Sequence, residues 1–434
     1  MIINIIGGGL AGAEASIYLA KKGYKVRLYD LKPDNFTPAH SNKNYGELVC
    51  SNSLKGNDYN TNACGLLKEE LRLLGSFVID VADSTKVPAG NALAVDRELF
   101  AEKITNEIKS LGVECVSQEV QSFDASLPTI VATGPLTSEN LLRYLGEITG
   151  EHFYFFDAAA PIVSADSIDF SSAFLEDRYG TPGQGDYVNC PMDKDEYLAF
   201  YTELINAKRA DLKDFENSAV FEGCMPVEVM AKRGIDTLRF GPLKPAGLTS
   251  PHTGKHPYAN VQLRKENLKG DAYNLVGFQT NLTFGEQKRV FSMIPALKNA
   301  EFLRYGIMHK NNFINSPNCL NKDLSLKAYP SVFIAGQLSG VEGYVESIAS
   351  GLLCAINLHL KLQGKEPIIL DSQTVLGALA TFITTPTENF QPMNANYGIL
   401  APLQEQIRDK AKKKQEYALR SLSIIKNIKE KINE

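Results

Sequence analysis

The sequence has no long hydrophobic run. None of its apolar stretches approaches the ~18 residues that would span a bilayer, and the N-terminal one is short enough to be used up by a single strand. That argues against a secretory leader and a membrane partner, and a cytoplasmic location is expected. Positive charge is not in surplus either. The 45 Lys and Arg stand against 50 Asp and Glu, a formal net charge of −5. Any polyanion site must then be a local basic patch. The seven cysteines are odd in number and contain no C-x-x-C pair. This argues against a disulfide framework and a zinc ribbon, and no metal site is expected. They read as free thiols, mostly small core residues, of which one or two are candidates for reactivity. Internal repeats and low-complexity linkers are missing too. At 434 residues, with 44% hydrophobic and 22% charged residues, the chain has the composition of a globular protein of two domains, or of one with an insertion.

What is present begins at residue 2. Ile-Ile-Asn-Ile-Ile-Gly-Gly-Gly-Leu-Ala-Gly places Gly7, Gly9 and Gly12 in G-x-G-x-x-G spacing, with Gly8, Leu10 and Ala11 between them. An apolar run precedes this turn and a helical pattern, Ala13 to Lys22, follows. The glycines serve a tight turn, close approach to a pyrophosphate and close helix–strand packing. The helix N-terminus offers N–H groups and a positive dipole end to phosphates. Lys25–Asp30 reads as the second strand, and Asp30 lies 18 residues after Gly12, where an acid that binds ribose hydroxyls belongs.

Further along, a polar loop is expected from Lys32 to Asn62, and loops of that length are often functional. Helices are expected at 63–75 and 97–111, each followed by or ending on glycine, with a strand at 113–120. Pro128–Pro135 is a buried-type strand running into Thr133-Gly134, and Ser331–Gln337 repeats the pattern at Gly336-Gln337 before Gly340, Gly343 and a helix from about Val345 to Lys361. In two-dinucleotide-fold flavoproteins a strand like the former lies beside the first one, and the latter resembles the second flavin fingerprint, with Gln337 in place of the usual acid. The expected fold is therefore α/β: a discontinuous Rossmann-like FAD-binding domain of residues 1–155 and 327–407, with an inserted α+β domain at 156–326. The insertion should mix helices and strands, for example in Lys194–Asn206 and Gln262–Thr280. A basic C-terminal helix, 408–434, carries nine Lys and Arg against four Asp and Glu. It reads either as a solvated amphipathic helix or as a contact for an anionic partner.

Two cysteines lie in shaped turns: Cys50 in Glu47-Leu-Val-Cys-Ser-Asn-Ser53 and Cys224 in Phe221-Glu-Gly-Cys-Met-Pro226. A thiolate is a suitable nucleophile for an electron-poor ring or carbonyl. Cys64, Cys115, Cys319 and Cys354 read as packing residues, and Cys190 is left open.

Thr37–His40, Glu47–Ser53, Ala63–Glu70, Val87–Gly90, Ala94–Arg97 and Ala132–Pro135 occur in an order that resembles one family. Phe221–Gly234, Gly277–Thr280, Gly336-Gln337, Gly340–Ser347 and Asn389–Asn396 complete the series. The chain is similar, to about residue 400, to the folate- and FAD-dependent uracil-5-methyltransferases (TrmFO, also called Gid), relatives of the GidA-type flavoproteins. The resemblance implies FAD as cofactor, with 5,10-methylenetetrahydrofolate and NADPH or NADH as co-substrates. It implies transfer of a one-carbon unit, by way of the reduced flavin, to carbon 5 of a uridine in RNA. The expected RNA is tRNA at its T-loop uridine; a 23S ribosomal RNA uridine is the alternative. By the family pattern Cys224 adds at carbon 6 of uracil, and Cys50 is a second catalytic thiol that handles the proton at carbon 5, although either thiol can form adducts. Tyr344 is a candidate neighbour of the isoalloxazine, with packing at a helix start as its alternative. Lys232, Arg233 and Arg239 are candidates for RNA phosphates or the folate glutamate tail, against simple surface solvation. Lys288, Arg289 and the C-terminal helix are weaker candidates of that kind. The target uridine would have to leave its stack. The chain departs from the pattern at Asp30, where Glu is more usual, at Cys64, and in the loop after Leu54. Two other readings compete: a GidA-like FAD/NAD(P)H oxidoreductase, and a non-catalytic flavin-bound RNA-binding protein. No protein partner is legible.

Overall fold

The computed structural model describes residues 1–434 apart from 38, 151, 182, 211–224, 389 and 434. Its first sheet is built around Ile2–Ile6. Ile3 and Ile5 are fully buried and Ile6 nearly so, as expected of a central strand covered on both faces. The strand order is Val332–Ile334, Thr129–Val131, Ile2–Ile6, Lys25–Asp30, Glu114–Ser117, and every pair is parallel. This is the α/β, Rossmann-like arrangement. The helix Leu10–Lys21 crosses from the first strand to the second and buries most of its length. It packs against Tyr344–Leu362, the 19-residue helix that follows the Val332–Ile334 strand. By length and composition that helix could cross a bilayer, which no run in the sequence was expected to do. Its hydrophobic window is 83% buried, so its apolar surface is spent on the core.

The chain leaves this body along His152–Ala158 and comes back along Met308–Ile314, and the two strands pair antiparallel. Between them lies a six-stranded antiparallel sheet: Phe174–Leu175, Val188–Met192, Ala259–Lys265, Ala272–Leu275, Ile162–Ser164, Phe302–Arg304. Its own core is formed by residues such as Tyr197, Phe200, Val261 and Phe291, all fully buried. Of the two stretches expected to show the insertion's mixture of elements, Lys194–Asn206 is a helix and Gln262–Thr280 carries strands. After the return, Leu320 and Leu326 pack with Ile6 and Val131 of the first sheet.

The expected polar loop after the second strand is not loop throughout. Ser53–Gly56 is a strand, paired with Ala92–Val95 in a small three-stranded sheet. Lys68 explains its stability. Fully buried on the helix Ala63–Leu74, it donates to the carbonyls of Leu54 and Gly56, both at 2.8 Å. The C-terminal helix spans Lys410–Asn433 and lays Tyr417, Ala418, Ser421 and Ile425 on the core.

Candidate functional site

The glycine-rich turn has the geometry the spacing called for. Gly7 has φ +104°, and a Cβ there would lie 2.4 Å from the carbonyl oxygen of Ala132. A Cβ on Gly12 would lie 1.8 Å from the carbonyl oxygen of Gly7. Both contacts are too close for any side chain, so these glycines serve packing. Gly9 differs: a Cβ there would meet no atom within 4 Å, because it faces a cavity. That cavity has a volume of about 450 Å³. Gly7, Gly8, Gly9, Leu10 and Ala11 line one end of it, at the N-terminus of the Leu10–Lys21 helix. Asp30 lines it too. Its Oδ2 accepts from the Gly8 N–H (2.5 Å) and its Oδ1 from the Lys32 N–H (2.9 Å), which ties the turn to the second strand. Each oxygen keeps a lone pair for a ribose hydroxyl. An open cradle, a helix N-terminus and an acid at the second strand fit a dinucleotide.

Strand order brings the distant halves together. Thr133 and Gly134 follow the strand beside Ile2–Ile6; Gly336 and Gln337 follow the next one out; all four line the cavity, as does Gly343. Gln337 donates through its side-chain amide to the Glu342 carboxylate. Gly12 lies beneath the turn, against Gly7, outside the lining.

Cys50 and Tyr344 meet on the cavity wall. The tyrosine oxygen lies 2.9 Å from the Cys50 sulfur and accepts from the N–H groups of Cys50 (2.8 Å) and Ser51 (3.3 Å). Its hydroxyl is buried, and burial pushes its pKa well above the usual tyrosine value. In the contact between them either the tyrosine hydroxyl or the thiol can donate. Arg97 holds the same loop from the other side, donating to the carbonyls of Leu48 (3.0 Å) and Val49 (3.1 Å) and pairing with Glu266 at 2.6 Å. A buried Lys32–Glu47 ion pair (2.6 Å) closes another edge. His309 also lines the cavity. Burial, then the nearby Arg304, lowers its pKa to about 4, so the ring is neutral at physiological pH.

The other described cysteines fall into a different group. Burial raises the thiols of Cys64 and Cys319 to about 11 and holds Cys190 and Cys354 far from ionisation. Cys115 is exposed on the edge strand of the first sheet. Cys224 lies outside the described residues. The chain just after it is anchored beside the cavity: the Val227 N–H donates to the carbonyl of Gln279 (2.7 Å), a lining residue. Buried Glu228 accepts from Thr280 Oγ1 and the Asn281 N–H.

The three basic candidates are not gathered at the cavity. Arg239 donates to Tyr258 O and to Asp236, and its guanidinium stacks 3.6 Å from the Tyr258 ring centre, a structural engagement. Lys232 and Arg233 are exposed and away from the lining. Sequence reasoning missed Arg97, Arg264, Glu266 and His309. Arg97 carried a faint signal, since it ends the Ala94–Arg97 segment. Arg264 and Glu266 carried none, because a run of charged residues at the end of a strand ordinarily faces solvent. Among the described residues no group of three or more His, Cys, Asp or Glu is placed to hold a metal.

A parallel sheet with a glycine turn at its first strand, and a cavity completed by two later strands, defines the fold of the dinucleotide-binding flavoproteins. The family model described as glucose inhibited division protein A matches residues 2–366. A curated relative from Caldicellulosiruptor bescii, named methylenetetrahydrofolate–tRNA-(uracil-5-)-methyltransferase TrmFO, is 54% identical over 438 residues and covers 100% of both chains. Relatives of the same name from Acetivibrio thermocellus (53%) and Fusobacterium nucleatum (52%) each cover 98% of both chains. The solved structure of Aquifex aeolicus GidA shares the fold at 17% identity, with a TM-score of 0.70 over 99% of this chain and 73% of that one. The chain belongs to the TrmFO family of GidA-type proteins.

Proposed function

We propose that this chain transfers a one-carbon unit from 5,10-methylenetetrahydrofolate to carbon 5 of a uridine in tRNA, with FAD in the cavity and NADPH or NADH as reductant. The observation that carries this reading is the Cys50–Tyr344 pair, sulfur to oxygen 2.9 Å, on the wall of a cavity that also holds the dinucleotide turn. Gly7, Gly8, Gly9, Leu10 and Ala11 would take the pyrophosphate and Asp30 a ribose, with Thr133, Gly134, Gly336, Gln337 and Gly343 around the remainder. Bound and reduced, FAD supplies the hydride that turns the new exocyclic carbon into a methyl group.

The protein's own part is thiol and proton chemistry. Carbon 5 of uracil is a weak nucleophile. Addition of the Cys224 thiolate at carbon 6 forms a C–S bond and moves the ring electron pair toward O4, so that carbon 5 can form its new C–C bond. Cys50 takes the carbon-5 proton as the bond between the transferred carbon and its donor nitrogen breaks, which leaves an exocyclic methylene; once hydride has reached that carbon, the electron pair returned to the ring expels the Cys224 sulfur and restores the ring double bond. Tyr344 holds the Cys50 sulfur on the cavity side, and Arg97 keeps the loop backbone from drifting. The insertion, residues 156–326, faces the RNA, with Lys232 and Arg233 and the Lys-rich C-terminal helix as phosphate contacts.

The test supplies purified protein, FAD, NADPH and methylene-labelled folate to tRNA and ribosomal RNA transcripts in separate reactions. Label in tRNA is expected. Label in ribosomal RNA alone would reassign the substrate, and label in neither would overturn the reading.

A further inference from the structure

The Cys50 loop is held from a third direction, the second sheet. Arg264, near the end of the Ala259–Lys265 strand, is 6% exposed. Its Nε donates to Asn52 Oδ1 at 2.9 Å and an Nη to Ser51 Oγ at 2.7 Å. Asn52 is fully buried and passes the contact on, donating to the carbonyls of Val95 (3.0 Å) and Lys265 (2.8 Å). The two residues that follow Cys50 are thus pinned between the second sheet and the small Ser53–Gly56 sheet. Neutral acceptors anchor this buried guanidinium: Asn52, Ser51 and the Tyr187 side chain. Around it lie Tyr187, Glu266 and a second cation, Arg97, and burial draws its pKa below the usual arginine value. Burying a charge on such partners is costly, and an amide or hydroxyl could tie two segments with less. What a fork-shaped donor adds is fixed geometry at two points of one loop.

We propose that Arg264 is a positioning residue for Cys50. By holding Ser51 and Asn52 it sets the thiol against the Tyr344 hydroxyl, and it makes that setting depend on how the second sheet is seated. The link to methyl transfer rests on the function proposed above; the link to thiol geometry does not.

The experiment uses full-length, FAD-loaded protein carrying Arg264→Gln, Arg264→Lys, Asn52→Ala or Arg264→Gln with Asn52→Ala, and Tyr344→Phe as reference. Alkylation of Cys50 by iodoacetamide is followed across pH by peptide mass spectrometry, beside kcat and KM for RNA labelling. Arg264→Gln should move the Cys50 alkylation profile in the same direction as Tyr344→Phe. It should lower kcat about tenfold or more while KM stays within about twofold. Arg264→Lys, able to reach one acceptor, should recover part of this. The double variant should lose less than the sum of the two single variants, because the Arg264–Asn52 linkage cannot be lost twice. An unchanged alkylation profile, or additive losses in the double variant, would overturn the proposal. Should Arg264→Gln fail to fold, Ser51→Ala removes one acceptor and is read the same way. Failure of methyl transfer in every sample, with the alkylation shift present, would sink the proposed function and leave the positioning role standing.

Discussion

At the glycine turn, single atoms separate folding from binding. A methyl group on Gly12 collides with backbone 1.8 Å away, while one on Gly9 points into open cavity. Gly12→Ala is therefore expected to destabilise the protein whether or not FAD is present, since neither the Gly7 carbonyl nor the strand behind it can yield. Gly9→Ala should leave the melting temperature of FAD-free protein within about a degree and weaken FAD binding about tenfold or more. Flavin titration and thermal melts of both variants check this; equal behaviour of the two would contradict the assignment of the cavity. The same scale explains which site residues were legible. Gly7, Gly9, Gly12 and Asp30 act through spacing along the chain, which a sequence displays. Arg239 looked like a phosphate contact because it is basic and near Cys224, but Asp236 and Tyr258 occupy it.

Helices here are fastened by two buried glutamates. Glu14, on the first helix, accepts from Ser76 Oγ and the N–H groups of Phe77 and Val78, capping the helix Phe77–Ser84. Glu70 does the same for Val375–Thr384, accepting from the Val375 and Leu376 N–H groups and bonding Ser421 of the C-terminal helix. Glu70→Ala should cost about 2–4 kcal/mol, because it leaves two backbone donors and a hydroxyl unpaired inside the core. Burial outweighs the donors and raises the Glu70 pKa to about 7, from an ordinary value of 4.5. The folded state then holds this proton more tightly than the unfolded one. The glutamate's contribution to stability is fully present below about pH 4.5, declines as pH rises to about 7, and is constant above. Denaturant unfolding of wild type and Glu70→Gln across that range should give a difference that shrinks with rising pH; a flat difference would contradict it. The Ser53–Gly56 strand was hidden in the sequence for a related reason. Its stability comes from Lys68 on a helix beneath it, not from a strand-like residue pattern.

Over the whole molecule, the nucleotide site is assembled from segments more than 300 residues apart, and the Cys50 loop on its wall is tied by Arg264 to the second sheet. A ligand that bridges such parts stabilises all of them. FAD at about a hundred times its dissociation constant should add about 2.7 kcal/mol and raise the melting temperature in one transition. An unmoved transition would mean that the cavity does not bind FAD. The parallel sheet and the helix starts were largely legible, because they follow from local periodicity and punctuation, whereas the insertion was expected only as a mixture of strands and helices. The core helix Tyr344–Leu362 was legible as a helix, and burial alone separates it from a membrane span.

The amino-acid order by itself determined the dinucleotide turn, the acid at the second strand and the strand–glycine repeats. Each is a short-range pattern whose meaning lies in backbone geometry over a few residues. Only the tertiary structure decided that Tyr344 meets Cys50 across 294 positions, and that Arg97 and Arg264 hold the loop between them. Those contacts follow from strand order and from how two sheets are seated on each other. No local pattern records that, because burial and charge pairing are settled only when distant segments close around the same space.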